Sequence, residues 1–102
     1  MATLTGKTIA NTYKDLLQVS NSNSGVDSTL RVVSDGEATD TVLYISSAAA
    51  QITSDAKLYF RDTGLYIASN ADGDLDIVSD GTAIDSINVE SAGGITLDAG
   101  TA

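Results

Sequence analysis

The chain has 102 residues, no cysteine, histidine, proline or tryptophan, and 14 acidic against 5 basic residues, for a formal net charge of −9. Without cysteine or histidine it lacks the means for a disulfide framework, a thiolate metal site, or histidine-assisted serine and thiolate catalysis. A surface of this sign repels phosphate backbones and anionic headgroups, so neither nucleic acid nor a membrane is expected as a partner.

The length suits one domain, with only a modest core if the chain folds alone. The apolar residues are mostly Leu, Ile and Val, which favour strands. No apolar run nears the roughly twenty residues of a membrane helix, and MATLTGKTIANTYK lacks the basic region and apolar block of a signal peptide.

In the first segment, Ile9, Tyr13, Leu16 and Leu17 fall at nearly helical spacing, while Leu17 and Val19 also fit a strand. This stretch is expected to be a cap or an attachment element. Gly6-Lys7-Thr8 matches the end of a phosphate loop, but the glycine five positions before Gly6 is missing, because Met1 stands there, so nucleotide binding is not expected. Ser20 to Gly25, SNSNSG, is dense in residues that satisfy the backbone locally and is expected to be an exposed loop. It divides an attachment segment, 1–25, from a repetitive β-rich oligomerisation region, 26–102.

Leu30 and Val32 form one predicted strand face, and Leu43 and Ile45 another. The small-residue run Ser46 to Ala50 is either a turn or a short helical piece, and Ile52 starts a further element. From Lys57 onward the pattern is regular: Leu58 and Phe60, Leu65 and Ile67, Leu75 and Ile77, Ile87 and Val89, Ile95 and Leu97 are pairs separated by one residue. Period two marks one face of a short strand. The Asp, Asn, Ser and Gly between the pairs supply turns.

LRVVSDG, Leu30 to Gly36, returns as LDIVSDG, Leu75 to Gly81. The expected reading is a strand followed by a turn. Leu30 and Val32, or Leu75 and Ile77, can face inward; Arg31 and Val33, or Asp76 and Val78, take the other face, where the two valines either pack against a neighbouring layer or chain or are simply exposed. Gly36 and Gly81 are expected to adopt backbone a side chain would penalise.

Each predicted strand offers about two apolar residues to a core, so one layer of such strands cannot cover itself and leaves open edges. A sandwich, a single-chain solenoid and a trimer pooling one thin layer per chain all solve this problem. The pairs start at 58, 65, 75, 87 and 95, and this unequal spacing favours the trimer, a β-prism or fibre-like assembly, over a solenoid. The expected fold class is therefore all-β, with the ten paired residues from Leu58 to Leu97 forming the oligomer core.

Asn70, Asp72, Asp74 and Asp76 are the strongest ligand-like cluster and could in principle surround calcium. Counted from Asn70, positions six and twelve hold Leu75 and Gly81, where a helix–loop–helix calcium site needs Gly and Glu, so a solvated turn is the favoured reading and no metal or cofactor is expected. Paired carboxylates are inevitable on so acidic a surface and do not by themselves imply an enzyme. Tyr44, Tyr59 and Tyr66 suit strand packing better than a ligand platform.

GKTIANTYKDLLQVSNSNSGVDSTLRVVSDG and KLYFRDTGLYIASNADGDLDIVSDG resemble segments of tailed-bacteriophage virion proteins, especially fibre and fibre-like structural proteins. The resemblance spans Gly6 to Gly81. It implies an elongated homotrimer anchored to a major capsid or tail structural protein, with Ile9, Tyr13, Leu16 and Leu17 as attachment residues and repetitive β structure as shaft. Little sequence follows ITLDAG for a globular tip, which shifts the expectation toward a capsid decoration or short head fibre, assembled in the host cytoplasm and carried on the outer capsid surface; a tail location is the other possibility. The alternative function is a tail-fibre fragment or adhesin binding a host glycan or receptor.

Overall fold

A computed structural model describes residues 12–100. After a 3-10 turn at Tyr13–Asp15 come seven strands: β1 Gln18–Val19, β2 Arg31–Ser34, β3 Asp40–Ile45, β4 Ala50–Ile52, β5 Lys57–Phe60, β6 Asp62–Ala68 and β7 Asp76–Val78. They form two antiparallel meanders, β1-β2-β3-β4 and β5-β6-β7, so the fold is all-β as expected. No helix among the described residues is long and apolar enough to cross a membrane.

The turns form where short polar side chains can replace lost backbone partners. Between β3 and β4, Ser46 N–H donates to Ala49 O at 2.9 Å, and the Ser46 hydroxyl accepts from Ala48 and Ala49 N–H at 3.1 and 2.9 Å. The small-residue run is thus a hairpin turn, and Ala50 already belongs to β4. SNSNSG joins β1 to β2 and is internally bonded: Ser24 N–H reaches Asn21 O at 2.8 Å, and the Asn21 amide reaches Gly25 O at 2.7 Å. Ser22, Asn23 and Gly25 take positive φ there. The first sheet therefore includes residues on both sides of position 25.

In both copies of the repeated heptad the valine on the other face is less exposed, within one chain, than the flanking apolar pair. Val33 packs, as one of its two readings had it, and is the buried apolar side chain of the described residues, at 8% exposure; Leu30 is exposed and Val32 half-buried. In the second copy Leu75 and Ile77 are 70% and 61% exposed, while Asp76 and Val78 are half-buried. In the first copy the cause is pairing on both sides of β2. Val33 pairs with Val19 of β1, and a bulge sets Thr41 to Leu43 against it, with the Thr41 hydroxyl donating to Val33 O at 2.7 Å. In the second copy β7 is an edge strand, and among the described residues nothing covers that side.

Gly36 and Gly81 also need correction. Neither has positive φ. A Cβ at Gly36 would overlap the Tyr13 carbonyl, and one at Gly81 would press on the Ser86 hydroxyl at 2.9 Å. Their small size, rather than a left-handed backbone, is what these turns require.

The expected strands around Ile87–Val89 and Ile95–Leu97 are not formed: no strand follows Val78 among the described residues. The chain's radius of gyration is 19.0 Å, against about 13 Å for a compact chain of this length.

Candidate assembly surface

The second sheet has two chemically distinct faces. Leu58, Ile67 and Ile77 are direct cross-strand partners and form one apolar row; Leu65, two residues from Ile67 on β6, shares their face. The opposite face carries Lys57, Tyr59, Tyr66, Asp76 and Val78. There the Tyr59 and Tyr66 rings meet edge to face, 6.2 Å apart at 87°, and the Lys57 ammonium lies 4.7 Å from the centre of the Tyr66 ring. These contacts place the tyrosines in strand packing. Tyr44 of β3 stands between Val32 and Gln51 in the first sheet.

Of the ten expected core residues, the structure joins Leu58, Leu65, Ile67 and Ile77 on one face. Phe60 lies past a bulge after Tyr59 and is exposed, and Leu75 immediately precedes β7. Ile87, Val89, Ile95 and Leu97 lie outside both sheets and are exposed, Leu97 at 93%. Leu58, Phe60, Leu75 and Ile77 are exposed as well, and only Leu65 and Ile67 are half-buried. The apolar face has formed, and among the described residues Leu58 and Ile77 on it stay exposed.

Among the expected attachment residues, Ile9 lies outside the described residues. Tyr13 opens the 3-10 turn, Leu16 is half-buried, and Leu17 is exposed just before β1. This turn is seated on the first sheet: the Tyr13 backbone lies against Gly36, and the Gln18 amide donates to Asp35 O at 3.0 Å.

A polar cluster that the sequence reading did not single out braces the same sheet. Asp27 accepts from Arg31 Nη2 at 2.8 Å and Nε at 3.2 Å, from Thr29 N–H at 3.0 Å and from the Asn21 amide at 3.2 Å, while its carbonyl takes Ser47 N–H at 2.8 Å. The Arg31 hydrogen bonds, followed by that from Thr29, lower its pKa from 3.8 to about 2. Asp and Arg four residues apart are a weak sequence signal outside a helix; the chain must turn through Ser28 and Thr29 for them to meet.

The acidic stretch behaves as a turn. Gly73 has φ 82°, Asp74 N–H reaches Ala71 O at 3.1 Å, and the Asn70 amide donates to Asp76 Oδ2 at 3.0 Å. The amide nitrogen thus occupies one of the Asp76 oxygens. Ser54, Asp55, Ser69, Asn70, Ala71 and Asp72 line an open hollow beside it. Among the described residues no three His, Cys, Asp or Glu side chains are placed to hold a metal ion.

Two antiparallel meanders with an uncovered apolar row define an all-β chain with a surface suited to association. No family model, curated protein or solved structure matches the chain.

Proposed function

We propose that the protein is a non-enzymatic structural component of a phage virion: a homotrimer that decorates the capsid or projects as a short head fibre, anchored through its N-terminal region. The observation that carries this reading is the apolar row Leu58–Ile67–Ile77, with Leu58 and Ile77 exposed, where Val33 is the one buried apolar side chain among the described residues. Apolar area left in water forgoes about 25 cal/mol per Å², and three copies around an axis would remove it by facing one another. The resemblance of the N-terminal and central phrases to phage fibre-like proteins supplies the biological setting. Tyr13, Leu16 and Leu17, beside the seated 3-10 turn, are the described residues through which the anchor would reach a capsid or tail protein.

The test is deletion of the gene from the phage that carries it, followed by imaging and adsorption assays. The structural role predicts particles lacking a surface feature or broken more readily by heat or low salt, with adsorption retained. Intact, equally robust particles that fail to adsorb would overturn it in favour of a host-binding adhesin.

A further inference from the structure

We infer that residues 84–97 are strand-forming arms that complete a sheet in a second copy of this chain, adding to the open edge of its β5-β6-β7 sheet. The inference rests on the proposed self-assembly and names the segment that carries it.

Ile87-Asn88-Val89-Glu90 and Ile95-Thr96-Leu97-Asp98 both alternate apolar with polar residues, the pattern of a half-buried strand. The connection between them is already built as a turn, with Gly93 and Gly94 N–H donating to the Ser91 hydroxyl at 3.2 and 3.0 Å. Yet the backbone groups of Ile87 to Val89 and Ile95 to Leu97 find no partner within the described residues, and their apolar side chains are exposed. The arms have the side-chain pattern of strands without a ladder to join.

The second sheet lacks what the arms provide. β6 is its centre, so β5 and β7 each present one unpaired edge. Unpaired edges beside apolar faces are templates for strand addition. No hydrogen bond joins residues 87–100 to either sheet of their own chain among the described residues.

The occupant is a copy of the same chain because donor and acceptor surfaces are both encoded in it, and because of the area involved. The chain exposes 8387 Å², whereas a compact protein of its mass exposes about 5,400 Å². The excess, about 3,000 Å² per chain, exceeds the roughly 800 Å² per partner of an ordinary interface and is large enough for an obligate one. Charge separates this occupant from a basic partner protein. Copies carrying −9 each repel, so added salt strengthens their association, whereas it would weaken binding to a basic partner.

Hydrogen–deuterium exchange on the full chain, read alongside its mass in solution at low and high salt, tests the inference. The expected result is an oligomer, favoured by salt, in which the amides of 87–89 and 95–97 exchange at least about tenfold more slowly than in an unstructured peptide. Val89→Pro, which removes a ladder donor outside both sheets, should lower the oligomer mass while leaving the β-sheet spectrum intact. An oligomer whose 87–97 amides exchange freely overturns the arm assignment and leaves self-assembly standing. A monomer at all salt concentrations overturns both.

Discussion

Ser-Asp-Gly occurs twice, and the two copies close their turns with different atoms. At Ser34–Gly36 the carboxylate does it: Asp35 accepts from Glu37 and Thr39 N–H at 2.9 and 2.8 Å, and these bonds, that from Thr39 first, lower its pKa. At Ser79–Gly81 the hydroxyl does it, accepting Gly81 N–H at 3.1 Å. The glycines can be told apart by substitution. Gly36→Ala drives a methyl into the Tyr13 backbone and should cost about 1–3 kcal/mol, whereas Gly93→Ala meets open space and should change thermal unfolding little. Equal melting shifts for the two variants would contradict the seating of the 3-10 turn on Gly36. Acid sensitivity follows from Asp27. Its folded-state pKa, about 2, lies below the ordinary 3.8, so its contribution to stability is complete above 3.8 and is lost as pH falls toward 2. Asp27→Asn should therefore flatten the acid-unfolding curve across that window; an unchanged curve would remove the Asp27–Arg31 brace from the account.

The elements show how far the pattern of residues carried. Period two in LYF, LYI and LDI placed Leu58, Ile67 and Ile77 on a common face, and their registers align them in one row. The β3–β4 hairpin was only half legible, since Ser46 to Ala50 suited either a helical piece or a turn until the Ser46 hydroxyl was seen capping it. Val33 was half legible, with packing and exposure both open: its burial depends on a bulge and on a two-residue strand, β1, contributed from beyond the SNSNSG loop, and alternation alone cannot register such long-range pairing. The Asp27 cluster escaped for a similar reason, being assembled from Asn21, Thr29, Arg31 and Ser47 through turns. Leu75 and Ile77 now provide a selective test of the apolar face. Both are largely exposed in one chain, so Asp at both positions should leave the strand spectrum largely intact while abolishing assembly through charge placed in the shared core. Assembly that survives the double substitution would exclude this row from the interface.

At the scale of the whole molecule, the chain spans 55 × 32 × 29 Å around very little interior. Ser34 is 1% and Val33 8% exposed, and no other described side chain is buried. Chains near 100 residues ordinarily bury well over half of their unfolded surface, and the proposed assembly would supply between chains the core that one chain lacks. That need unites the two open edges of the second sheet, the exposed pairs from Ile87 to Leu97, and a net charge that keeps the outer surface hydrated. The most direct measurement is the molar mass of the purified protein by light scattering during size exclusion. The account predicts about 31 kDa, three times the 10.4 kDa of one chain; a stable, folded species of 10.4 kDa would contradict it.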